Sequence, residues 1–109
     1  MQNNVKYFVC FSAALWKSTT EYRIFTEDKN LDAVRKILEE KLPGYTIIHG
    51  EGSFDGVPEY SLVIIVLDAD KSKVADTAEQ IRKLNTQSEV WITKRGLGLL
   101  KVKEKAKSS

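Results

Sequence analysis

His49-Gly50-Glu51-Gly52-Ser53-Phe54-Asp55-Gly56-Val57-Pro58-Glu59 runs straight into Tyr60-Ser61-Leu62-Val63-Ile64-Ile65-Val66-Leu67. A glycine-rich, acidic turn separates two strand-like runs, Tyr45-Thr46-Ile47-Ile48-His49 before it and the long apolar run after it. Such a pair of runs joined by a glycine-rich stretch reads as a β-hairpin, its glycines permitting a bulge and a tight turn. Glycine-rich loops that cradle phosphate run into a helix N-terminus, whose amides and dipole hold the anion. This one runs into a strand and carries Glu51, Asp55 and Glu59, so a phosphate or dinucleotide loop is excluded.

Outward from the hairpin, each flank offers a helix. Upstream, Leu31, Val34, Ile37, Leu38, Lys41 and Leu42 recur at helical spacing, with Thr26 or Asn30 as the cap, Glu27 and Asp28 suiting the positive end, and Pro43-Gly44 as the stop. Downstream, Asp68-Ala69-Asp70 can cap a second helix with Val74, Ala75, Ala78, Ile81 and Leu84 on one face. Beyond Asn85, Glu89-Val90-Trp91-Ile92-Thr93 reads as a strand, and Gly96-Leu97-Gly98-Leu99-Leu100 as a turn with a short extra edge strand. At the other end Val5-Lys6-Tyr7-Phe8-Val9-Cys10-Phe11 reads as the first strand, and Ser12 to Tyr22, which lacks a clean period, as a loop. Arg23-Ile24-Phe25 is either a short extended piece or the approach to the helix. The order is β-α-β-β-α-β, the ferredoxin-like α+β arrangement: a four-stranded antiparallel sheet with both helices on one face.

A length of 109 residues suits one domain, taken as residues 1–100, with 101–109 a basic, flexible tail. The last nine residues carry Lys101, Lys103, Lys105 and Lys107 against Glu104; this net +3, set against +2 overall, leaves the remainder at −1. A nucleic-acid-binding domain normally carries its positive charge on the folded face, so nucleic acid is disfavoured and survives only as an alternative that uses the lysine tail. No apolar run is long enough for a membrane span, and Met1-Gln2-Asn3-Asn4 has no basic leader segment or cleavage site. The single cysteine, Cys10, permits no internal disulfide. The expectation is a cytoplasmic protein.

Two helices cover only one face of a four-stranded sheet, and the other face should alternate to polar. Here Val5, Tyr7, Val9 and Phe11 are opposed by Phe8 and Cys10, and Leu62, Ile64 and Val66 by Val63, Ile65 and Leu67. An exposed face of that kind is costly, so the expected partner is a second copy of the chain packed on the open sheet face.

One histidine, one cysteine and scattered carboxylates make no metal-ligand spacing, and no catalytic constellation or cofactor motif stands out. Trp16, Lys17, Tyr22 and Arg23 follow the first predicted strand, and Trp91, Lys94 and Arg95 lie at the fourth. Aromatic and basic side chains together stack on and pair with nucleotides, or anchor a protein interface. With Glu51 and Ser53 of the turn as hydrogen-bonding groups, these residues are the candidate ligand site. The RNA-binding module of the same element order needs a Lys/Arg-Gly-Phe signature on its central strands, which Tyr60–Leu67 lacks.

The hairpin Tyr45–Gly56, its continuation Glu59-Tyr60-Ser61-Leu62 and the later Gln87-Ser88-Glu89-Val90 resemble small proteins of bacteriophages and prophages. More distantly, the chain resembles PII-like regulatory domains. The resemblance implies an oligomer that binds a small ligand such as a nucleotide, or a host protein, and a phage-encoded regulatory or anti-defence role in the infected cell. It carries over no catalytic residue, and Arg95-Gly96-Leu97-Gly98 matches no pattern. The leading reading is a non-enzymatic binding module. The alternative is a dimeric ferredoxin-like barrel enzyme acting on a small hydrophobic compound, with His49 and Tyr60 as its polar groups.

Overall fold

A computed structural model describes residues 16–102. Along them run β1 (Trp16–Glu27), α1 (Leu31–Lys41), β2 (Thr46–Phe54), β3 (Val57–Leu67), α2 (Lys71–Leu84) and β4 (Trp91–Leu100). The order β-α-β-β-α-β and the antiparallel sheet β2-β3-β1-β4 make this a ferredoxin-like α+β fold.

The strand beside β3 is not where the sequence pattern places the first strand. Val5–Phe11 lies outside the described residues, and the segment from Trp16 onward, read as a loop, is β1. Its period is there but hidden: Tyr22, Ile24 and Thr26 are buried while Glu21, Arg23 and Phe25 between them are half-buried. Charged residues at alternate positions look like loop chemistry, yet they suit the more open face of a sheet. The fourth strand is likewise longer than predicted, since Gly96–Leu100 continues β4 and forms no separate fifth strand.

The chain divides into two compact units, Thr20–Arg95 and a smaller one that includes Trp16–Thr19 and Gly96–Val102. In the smaller unit the Trp16 ring lies against Gly98, where an added Cβ would come within 3.3 Å of it. Close aromatic packing over glycine therefore joins these two stretches.

In the larger unit, β1 pairs with β3 from Glu21↔Leu67 to Glu27↔Ser61, so Ile24 faces Ile64. One sheet face carries Tyr22, Ile24, Leu62, Ile64 and Val66 onto Val34 and Leu38 of α1 and Val74, Ala78 and Ile81 of α2, all buried. Each large aliphatic side chain so buried is worth about 1.5–3 kcal/mol. The other face holds Phe25, Val63 and Ile65 half-buried and Ile48 and Leu67 exposed.

β2 and β3 pair from Thr46↔Ile65 to Phe54↔Val57, closing on Asp55-Gly56 with φ of 52° and 78°. Two successive positive φ values define the type I′ turn, whose twist matches that of the strands it joins. Because β1 pairs with β3 only as far as Ser61, Glu51–Tyr60 project as an exposed two-stranded arm.

Asn30 sits at the start of α1 with φ of 56° and makes no side-chain cap; its Nδ2 instead donates to Asn85 Oδ1 at 2.8 Å. Thr26, the other cap candidate, is instead a buried residue of β1, one before its end. Asp70 caps α2, accepting from the Ser72 amide and hydroxyl at 2.9 Å each. Those bonds, the backbone one foremost, hold the Asp70 carboxyl below its usual range.

Candidate ligand cleft

Where β1 ends, an open cleft of about 710 Å³ is lined chiefly by Phe25–Lys29, Glu59–Ser61 and Gln87–Glu89 with Trp91, and by Gly52 of the arm. Antiparallel pairing of β1 with β3 brings the first two together, and adjacency of β4 to β1 brings the third. The Asp28 amide donates to the Tyr60 carbonyl at 3.1 Å, tying the β1 end to the base of the arm.

The lining has two chemical characters. Phe25, Tyr60 and Trp91 present aromatic surface, with Tyr60 and Trp91 60% and 64% exposed. Glu27, Asp28, Glu59 and Glu89 supply carboxylates, against one ammonium, Lys29, which pairs with Glu27 Oε1 at 3.3 Å. His49 Nδ1 lies 3.1 Å from Asp28 Oδ2 at the rim. Aromatic faces beside uncompensated carboxylates suit a flat ligand that bears positive charge. Among the described residues no group of His, Cys, Asp and Glu could hold a metal ion.

Of the candidate ligand-site residues singled out from the sequence, Trp91 alone lines this cleft, joined by Tyr60, which the sequence offers only as a polar group of the alternative enzyme reading. Tyr22 is turned into the core at 7% exposure, which withdraws its ring from any ligand on the surface. Arg23 and Arg95 both reach Glu21 Oε1, at 2.8 and 3.4 Å, and form a charge cluster on the sheet. Lys94 is exposed on β4, and Glu51 and Ser53 are exposed on the arm. Trp16 and Lys17 open β1 in the smaller unit, both exposed. The arrangement in strands, not loops, separates these side chains onto different faces.

The residues passed over are Glu27, Asp28, Glu59, Glu89 and Gln87. A signal was present: Glu27, Asp28 and Glu89 stand at or just outside a strand end, where a sheet gathers side chains from distant sequence, and Glu59 lies near the start of β3. What hid it was the misplaced first strand, which left Glu27-Asp28 to be read as the first turn of a helix capped by Thr26.

Gln87 binds the cleft together. Its Oε1 accepts from the Thr26 hydroxyl, from the Glu27 amide at 3.3 Å and from Asn85 Nδ2 at 3.3 Å, while its Nε2 donates to the Glu89 carbonyl at 3.2 Å. Its main chain is held by Arg82: the Gln87 amide donates to the Arg82 carbonyl and Arg82 Nη1 donates to the Gln87 carbonyl, both at 3.0 Å. Arg82 is in turn gripped by both carboxylate oxygens of Glu79 at 2.8 Å, which raises the guanidinium pKa and lowers that of the carboxyl.

No protein-family model and no curated protein matches the chain. Solved structures do share its fold. CPII, a nitrogen regulatory PII-like protein from Thiomonas intermedia K12 bound to ADP, AMP and bicarbonate, superposes with a TM-score of 0.57 at 13% identity, over 80% of this chain and 98% of that one. A phage SAM lyase in its apo state gives 0.58 at 19% identity, over 81% and 94%. A DUF3240 family protein from Shewanella baltica OS155 gives 0.54 at 9% identity, over 84% and 97%. At these identities the likeness is one of fold alone.

Proposed function

We propose that this chain is a small-ligand-binding domain whose ligand is an adenosine compound carrying positive charge, seated in the cleft between Tyr60 and Trp91. The observation that carries the reading is the lining itself, four carboxylates and three aromatic rings around one lysine. The ligands named for two fold neighbours, ADP and AMP for CPII and S-adenosylmethionine for the phage lyase, share an adenosine and differ in charge. At an effective dielectric near 20, a phosphate ~6 Å from one carboxylate is repelled by roughly 3 kcal/mol, and a sulfonium is attracted by as much. That difference favours S-adenosylmethionine over the nucleotides. The adenine has Trp91 to stack on, a contact worth ~1–3 kcal/mol.

The domain works as a homo-oligomer through the open sheet face, where Phe25, Val63, Ile65 and Leu67 would be covered by a second copy. In a phage setting, withdrawing such a ligand from the host would serve a regulatory or anti-defence role.

Calorimetric titration with S-adenosylmethionine, S-adenosylhomocysteine and ADP tests the ligand. The order expected is sulfonium tightest, neutral thioether weaker by about tenfold, ADP weakest. ADP binding as tightly as the sulfonium, or no binding by any of the three, refutes the reading.

A further inference from the structure

The cleft exists because β1 and the segment leading into β4 do not close on each other at this end. The Asp28 amide points to β3, where it meets the Tyr60 carbonyl, so the preceding amide, that of Glu27, points to the β4 side. A strand there would satisfy it with a backbone carbonyl. Instead the Gln87 side chain supplies the acceptor, and its other end donates to the Glu89 carbonyl two residues before β4 begins. One carboxamide thus stands where a peptide group would, one residue's reach wide, with a donor at one end and an acceptor at the other. Glutamine is the side chain that fits: glutamate ionised has no donor, leucine has neither group, and asparagine is one carbon short.

From this geometry we infer that Gln87 is a positioning residue that props the cleft open, setting the separation of the Glu27 and Glu89 backbones and with it the placing of Trp91. The inference rests on the cleft being the ligand site. Gln87 is itself immobilised from behind: Asn85, 1% exposed, donates to Thr26 Oγ1 and Gln87 Oε1 and accepts from Asn30. Helix α1, helix α2 and strand β1 therefore all bear on the one amide that spaces the cleft.

The test compares Gln87→Leu and Gln87→Glu with Val74→Ala, a core change remote from the network. It reads S-adenosylmethionine affinity by calorimetry, the Glu27 amide by hydrogen exchange, and the melting temperature. Gln87→Leu should lose about tenfold in affinity and about tenfold in Glu27 amide protection. Gln87→Glu, which still accepts from Glu27, should keep that protection and lose about threefold in affinity. Val74→Ala should melt lower with affinity unchanged. Wild-type affinity in Gln87→Leu, or an equal affinity loss in Val74→Ala, overturns the proposal. If Gln87→Leu does not fold, Gln87→Glu decides, and wild-type affinity there overturns it. If the wild-type protein binds no S-adenosylmethionine, the ligand reading fails by itself. The Glu27 amide still judges the prop, and full protection in Gln87→Leu overturns it.

Discussion

Ile64→Ala and Ile65→Ala make a matched pair, because neighbouring residues of β3 point to opposite faces of the sheet. Ile64 is fully buried under α1 and α2 and pairs with Ile24 and Ile47; Ile65 lies half-buried on the open face, opposite Arg23 and Thr46. Each substitution removes three carbons. At ~0.8 kcal/mol per buried methylene the transfer loss at Ile64 is about 2.5 kcal/mol. The closed cavity left behind raises the total to about 3–4 kcal/mol, inside the usual range for aliphatic truncation. For an isolated chain, Ile65→Ala forfeits about half of that transfer and leaves no closed cavity, so it costs about 1 kcal/mol. If the open face is covered by a second copy, Ile65 sits in an interior like that of Ile64 and its truncation approaches the same cost. It then also shifts the oligomer toward monomer, so stability depends on concentration.

Urea unfolding at low and high micromolar protein, with molecular mass measured alongside, separates the two cases. The expected result is an Ile65→Ala loss close to that of Ile64→Ala, smaller apparent stability on dilution, and a reduced mass. A monomeric wild-type mass together with a mild, concentration-independent Ile65→Ala refutes the covered-face argument.

Asn85→Ala removes a fully buried amide with partners on Asn30, Thr26 and Gln87 and should cost about 2–3 kcal/mol, read from urea midpoints at unchanged slope. Gly56→Ala puts a Cβ at φ of 78° in open space, so the penalty is conformational, about 1 kcal/mol, and hydrogen exchange should place it in the arm, not the core. Asp70 has a folded-state pKa below its unfolded value, so its contribution is complete above the unfolded pKa and is lost as pH falls through the folded one. Asp70→Asn should therefore flatten the acid side of the stability–pH curve, and an unchanged curve would contradict the cap. Glu59→Gln should weaken S-adenosylmethionine by about tenfold and leave S-adenosylhomocysteine unaffected; equal losses would show that Glu59 does not read the charge.

The hairpin was legible from local chemistry alone. The whole stretch 50–56 reads as its turn, but strand pairing continues to Phe54 and only Asp55-Gly56, with two left-handed conformations, makes the turn itself. Both helices were legible for a similar reason, since their apolar spacing and the Asp70 cap act within one or two turns of chain. Gly50 is a subtler case: its φ is unremarkable, but a Cβ there would lie 3.1 Å from Ser61 Oγ across the strand pair, which no inspection of neighbours in sequence reveals.

β1 was not legible, because Glu21, Arg23 and Glu27 alternate with Tyr22, Ile24 and Thr26 in a way that acquires meaning only when β3 lies alongside. The cleft was hidden for the same reason. Glu27, Glu59 and Glu89 are far apart along the chain, and strand pairing alone brings them to one end of the sheet. The amino-acid sequence by itself determined the order of elements, the central turn and an apolar pattern on both sides of β3, all consequences of short-range conformational preference. The tertiary structure decided which strands are neighbours, hence where charge collects and which side chain, Gln87, stands in the gap, because register and adjacency are set by packing across distances that local preference does not reach.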